Sequence, residues 1–180
     1  MGLTWRDGLM VSASCVFLCG CAPTAPIQPY VIETAYRDSD FKPYGAPGSA
    51  TLTGQAFLKT VGGDVKTCAG NKVTLAPATA YNLEALSHLS SLPVTDPRAK
   101  AAAKTAICDA EGKFEFDSVP PLKWIVVTLV TWGVPQVEDG IFGPVVNTEE
   151  QGGALTQIAD LKPGHNRVIL TDVDRVHPTH

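Results

Sequence analysis

From position 49 onward, short runs of apolar and β-branched residues are separated by breaks rich in glycine, proline and asparagine. Alternation of apolar and polar positions predicts strands, because successive side chains of an extended chain point to opposite faces. Such runs occur at 50–59, 65–67, 72–77, 113–117, 122–132, 154–160 and 166–170. Gly54, inside the first run, reads as a bulge. Gly62-Gly63-Asp64, Ala69-Gly70-Asn71, Asp109-Ala110-Glu111-Gly112, Pro120-Pro121 and Lys162-Pro163-Gly164 supply the turns. About seven short strands with frequent turns predict a mainly β chain folded as an antiparallel β-sandwich.

Residues 80–107 interrupt this pattern. Leucines at 83, 86, 89 and 92 have helical spacing, so a helix is expected over 81–92, ended by Pro93. Asp96-Pro97 is an N-cap followed by a first-turn proline, and Ala99, Ala101, Ala102, Ala103 and Ala106 favour a second helix. The run 122–132 gives this insertion a purpose. One face carries Trp124, Val126, Thr128 and Val130; the other carries Ile125, Val127 and Leu129. A strand apolar on both faces is buried on both, whereas a two-sheet sandwich covers only one. The helical insertion is the expected cover, and a bound partner is the alternative. Trp132-Gly133-Val134-Pro135 is expected to end this strand. Glu149-Glu150, between Pro144 and Gly152-Gly153, falls in an expected loop, either solvated or an acidic binding rim.

The N-terminus follows a different rule. Arg6 precedes an apolar run from Leu9 to Leu18 that stops at Leu18-Cys19-Gly20-Cys21. The run is shorter than the roughly 20 residues of a membrane-spanning helix and has the length of a signal core. Its end resembles the lipobox of bacterial lipoproteins. That resemblance implies cleavage after residue 20, acylation of Cys21, and a bacterial envelope location. Ala22 in place of aspartate favours the outer membrane. Residues 21–48 then carry Pro23, Pro26, Pro29, Pro43 and Pro47, the composition of a tether. Tyr30, Val31, Ile32, Tyr36, Phe41 and Tyr44 are too apolar for a purely solvated spacer. The part from Tyr30 to Ala35 either packs on the body or serves as a binding strand. The expected domain plan is therefore 1–20 signal, 21–48 tether, 49–171 sandwich and 172–180 polar tail.

Composition narrows the chemistry. With 180 residues there is room for one domain, and the net charge of −4 argues against nucleic-acid binding. Of the five cysteines, only Cys68 and Cys108 lie in the body. In an exported chain a disulfide between them is expected, closing a loop around the insertion; two buried thiols are the alternative. No nucleophile elbow, HExxH helix or phosphate-binding glycine loop occurs. His88 falls on a predicted helix. Asp172, Asp174, His177 and His180 carry metal-ligating groups, but Pro178 prevents regular helical spacing. No metal or cofactor is expected.

The stretch Thr105 to Phe116, with Asp109, Gly112, Phe114 and Phe116, followed by Val119-Pro120-Pro121-Leu122-Lys123-Trp124, resembles the carboxypeptidase-regulatory-like or transthyretin-like modules. Gly54 to Phe57 and the closing Leu161 to Gly164 with Val168 to Leu170 extend the resemblance over roughly residues 50–171. Leu122 stands where that family usually has a turn glycine, and the helical insertion is unusual. The resemblance implies a transthyretin-like sandwich with Asp109 and Gly112 forming a structural turn, and says little about activity. The expectation is a non-catalytic interaction module anchored to a membrane by its N-terminal lipid, with an envelope protein as partner. The alternatives are a subunit of a secretion or other envelope machine, and a small-ligand carrier or enzyme.

Overall fold

The computed structural model describes residues 29–141 and 143–176; the expected signal, Cys21 and the last four residues lie outside them. Two four-stranded sheets face each other. The first is centred on β1 (Ala50–Lys59), with β2 (Val65–Thr67), β5 (Lys113–Val119) and β8 (Gly164–Leu170). The second runs β4 (Lys104–Ile107), β3 (Lys72–Pro77), β6 (Lys123–Gly140), β7 (Gly143–Asp160).

β1 shows the expected alternation: Ala50, Leu52, Ala56 and Leu58 point into the core. Gly54 is not a bulge. It sits in regular register opposite Phe114 and Val168, and the Phe114 ring occupies the place a Cβ would take. The register shift lies between Ala50 and Leu52 instead. The Ala56 N–H donates to the Gly112 carbonyl while its own carbonyl accepts from Cys68, so β5 and β2 follow one another along a single edge of β1.

β8 occupies the other edge and runs parallel to β1, the exception in an otherwise antiparallel sandwich. Lys162-Pro163-Gly164 is accordingly a corner between sheets and not a hairpin. Asn166 holds that corner: its side chain accepts from Lys162 N–H at 2.9 Å and donates to the carbonyls of Lys162 at 2.7 Å and Gly164 at 2.9 Å.

The core between the sheets contains Leu52, Leu58, Val73, Leu75, Phe114, Phe116, Val126, Val130, Leu155 and Leu170 around a fully buried Trp124. The Trp124 indole N–H donates to the Pro120 carbonyl at 3.0 Å, which satisfies its one polar atom.

The insertion is helical only in part. α2 (Ala80–Ser87) is capped by the Thr79 side chain, which accepts from Asn82 N–H, and α3 (Pro97–Ala101) by Asp96, which accepts from Arg98 N–H. The leucine-spaced stretch stops being α-helix at Ser87, passes through a 3-10 turn and ends at Leu92 in the left-handed conformation. Residues 104–107, expected within the helical insertion, form β4 because the edge of β3 is open to pair with them.

From Tyr30 the segment expected to be a tether lies on the body. Tyr30 bonds through its N–H to Ser91 and through its carbonyl to Val94, and stacks on His88 at 3.6 Å. Glu84 on α2 accepts from the Tyr30 hydroxyl and from the N–H groups of Glu33 and Thr34. α1 (Asp38–Phe41) closes a second small core of Phe41, Tyr81 and Ala99. Arg98 lies over the Tyr36 ring at 4.1 Å, and Tyr44 meets Trp124 edge-on at 4.9 Å. The Glu84 hydrogen bonds and these ring contacts together hold the proline-rich chain on the surface.

Candidate functional site

Cys68 and Cys108 are joined by a disulfide, with Cα atoms 5.8 Å apart. One cysteine follows β2 and the other follows β4, so the bond ties one sheet to the other. The adjacent turn is built as the residues require. Asp109 accepts from the N–H groups of Glu111 and Lys113 at 3.0 and 2.7 Å. Gly112 adopts φ +75°, and a Cβ there would lie 2.8 Å from the Ala56 carbonyl oxygen, so a larger residue meets both strain and contact.

The strand expected to stop at Trp132 does not. β6 and β7 each run 18 residues and pair without interruption from Lys123–Asp160 to Gly140–Gly143. β3 pairs only with Trp124 to Thr128, so beyond this the hairpin leaves the sandwich as a two-stranded arm. Glu149 and Glu150, expected in a loop, lie on its β7 strand opposite Val134 and Gly133. The departure point is Gly152-Gly153, at φ +111° and +159°. A Cβ on Gly152 would run into the Val130 carbonyl, so glycine is required where the strand bends away.

One face of the arm carries Val134, Gln136 and Glu138 with Glu149, Asn147 and Val145; the other carries Pro135, Val137 and Asp139 with Thr148, Val146 and Pro144. Val137 and Val146 stand directly opposite one another, 68% and 66% exposed. Glu138, Asp139, Glu149 and Glu150 are the charged residues between Thr131 and Gln151, and all are acidic. The arm thus carries a charge of −4, equal to that of the whole chain, and the remainder is balanced. Neither strand edge of the arm is closed by another strand among the described residues. The nearest neighbour is the C-terminal segment, where Arg175 pairs antiparallel with Leu155, Val176 N–H donates to Ala154, and the Arg175 guanidinium reaches the Gly152 carbonyl.

Two concavities accompany the arm. A polar one of about 500 Å³ lies over the outer face of the first sheet, with Glu115, Thr53 and Arg167 in register across three strands and Gln55, Asp109 and Lys113 beside them. An apolar groove of about 250 Å³ runs between the helical insertion and the second sheet, lined by Ala85, Leu86, Leu89, Ala99, Ile125 and Val127. The expected covering role is visible here: Ile125 is buried and Val127 half-buried beneath α2 and α3, while Leu129, past their end, is exposed.

The remaining expected chemistry is dispersed. His88 is a stacking partner of Tyr30, His165 is exposed on β8, and His177 and His180 lie outside the described residues. Among the described residues no three His, Cys, Asp or Glu side chains converge on a metal position. The strongest electrostatic feature is one the sequence reading missed. Hydrogen bonds to Glu84, first from the Thr34 side chain and then from the Glu33 backbone, hold its carboxyl at about 2. A single glutamate in a leucine-spaced helix offers no signal of this, because its partners lie 50 or more residues earlier.

No protein-family model matches the chain, and no curated protein matches it in sequence. A crystal structure of a candidate carbohydrate-binding protein from Pseudomonas aeruginosa is similar in fold, with a TM-score of 0.63 and 23% identity, over 77% of this chain and 98% of that one.

Proposed function

We propose that this chain is a non-catalytic binding module, anchored by a lipid on Cys21 to a bacterial envelope membrane, the outer membrane in the first instance, and that it engages a protein partner through the β6–β7 arm. The arm carries this reading. A two-stranded ribbon with no further cover is marginal in water, and the exposed apolar side chains of Val137, Ile141, Val145 and Val146 gather at its end, the kind of patch that marks an interaction surface. The disulfide supports export, since such bonds persist in oxidising compartments. The signal-like N-terminus ending at Cys21 supports the same location. A subunit of a larger envelope machine is one form this role can take.

The test places a photo-crosslinking residue at Val137 in the lipidated protein within its own membrane. Discrete crosslinks to the same partner are expected from Val137 and from a probe at the exposed Gln151, and those from Gln151 should vanish when residues 135–148 are replaced by a short turn joining Val134 to Glu149. Crosslinks at a body position that persist unchanged after trimming remove the arm from the proposal. Palmitate labelling that survives Cys21→Ser removes the anchor.

A second reading rests on the polar concavity. The Pseudomonas protein is described as a candidate carbohydrate binder, and the Glu115–Thr53–Arg167 row offers carboxylate, hydroxyl and guanidinium groups of the kind that hydrogen-bond sugar hydroxyls. Glycan-array binding abolished by Arg167→Ala would favour this reading over the arm.

A further inference from the structure

We infer that the outer edge of β7, between Pro144 and Gly152, receives an extended, basic segment of the partner as an added strand; this rests on the reading of the arm as the binding element. In an antiparallel ladder each strand turns half of its N–H and C=O groups away from its partner. The outward groups of β7 over Val145 to Gln151 face no strand among the described residues. The corresponding edge of β6 is a poorer template, because Pro135 interrupts it with a residue that has no N–H. The β7 edge has seven residues without proline or glycine, including the β-branched Val145, Val146 and Thr148.

Two observations define the ligand. The first is charge. Glu149 and Glu150 are consecutive, so they point to opposite faces of the ribbon, and Glu138 and Asp139 sit one on each face nearer the tip, opposite Val145 and Pro144. A strand laid on this edge meets carboxylates whichever face its side chains occupy. A second copy of this chain brings another arm of −4 and a balanced body, so like charge opposes it. An anionic lipid surface is repelled for the same reason. The second observation is that the same edge already pairs, nearer the body, with an extended residue that carries a guanidinium. Arg175 and Val176 lie antiparallel to it, with Arg175 opposite Leu155, Val176 N–H on the Ala154 carbonyl and the Arg175 guanidinium on the Gly152 carbonyl. The proposed strand continues that arrangement outward along β7.

The probe is a synthetic ten-residue peptide alternating lysine with valine and threonine, fluorescently labelled and titrated against the full chain. A counterpart has glutamate at the lysine positions, and a third version is N-methylated at alternate amides. Saturable one-to-one binding of the basic peptide is expected in low salt. It should weaken roughly tenfold or more in Glu149→Lys/Glu150→Lys, which should gain affinity for the acidic peptide. It should also weaken in 1 M salt, where the screening length falls to about 3 Å. Methylation on the edge facing β7 should abolish binding. Both substituted positions are exposed, so unchanged circular dichroism and melting confirm an intact fold. Equal binding of the methylated peptide means charge attraction without strand addition, and equal binding to the charge-reversed variant means strand addition without charge selection; either overturns the inference. Sedimentation showing that the arm is taken by a second copy overturns it as well. If the peptides fail while trimming the arm still removes crosslinks in the membrane, the arm remains the binding element and this partner chemistry alone is wrong.

Discussion

Reducing the Cys68–Cys108 bond isolates how far the two sheets depend on a covalent tie. The bond spans 40 positions and encloses β3, both helices of the insertion and β4. Cross-linking removes loop-closure entropy from the unfolded chain, and for a loop of this length the effect is about 4 kcal/mol. A domain of this size is held by about 5–15 kcal/mol in total, so the bond accounts for a quarter or more of its stability. Both cysteines are buried, which makes reduction in the native state slow and allows oxidised and reduced forms to be compared without substitution. Urea unfolding of the protein with and without reductant should show the midpoint fall with a loss of about 4 kcal/mol, and the melting temperature should drop by roughly 10–15 °C. The Cys68→Ala/Cys108→Ala variant should behave like the reduced protein, with a small further loss for the vacated volume. A loss below about 1 kcal/mol would refute the reasoning. It would mean that the β3–β4 and β1–β5 ladders already hold the loop ends together in the unfolded ensemble.

Two further outcomes follow from the contacts of α2. Leu86 lines the apolar groove whereas Leu83 lies outside it and is 37% exposed, so Leu86→Asp should cost about 2 kcal/mol in denaturant unfolding and Leu83→Asp about half of that or less; equal effects would mean that the insertion does not cover Ile125 and Val127. Glu84 titrates at about 2 when folded against an ordinary 4.5. A depressed carboxyl stabilises the folded state above its unfolded value and loses that contribution as pH falls through the folded one. The docked segment around Tyr30 to Thr34 should therefore release between about pH 4.5 and 2. The amide shifts of Glu33 and Thr34, followed by NMR, should titrate near the lower value and lose this transition in Glu84→Gln; a midpoint near 4.5 would contradict the hydrogen-bonded carboxylate.

Period-two alternation and turn chemistry are local properties, so they were legible along the chain. The bounds of β1, β2 and β3, the Asp109–Gly112 turn, the Asp96 cap and the pairing of the two body cysteines all follow from residues within a few positions of one another or from the small number of partners available. What could not be read locally depended on what lies across from each residue. Gly54 looks like a bulge until the Phe114 ring is placed on it. Alanine favours helix at 102–106, yet an open strand edge at β3 captures 104–107. Proline at 135 and glycine at 133 normally end a strand, but continuous pairing with β7 carries β6 past both to Gly140.

The amino-acid order by itself thus determined a mainly β sandwich and an acidic charge balance. Only the tertiary structure decided where that charge resides. Four carboxylates spread over thirteen positions become one acidic ribbon because β6 and β7 pair along their whole length, with Glu138 and Asp139 near the tip and Glu149 and Glu150 nearer the base. In the same way, a proline-rich stretch becomes part of the body because one glutamate on α2 collects its hydroxyl and amide donors. Strand pairing and burial join residues far apart in the chain, and the candidate surface consists of such joins.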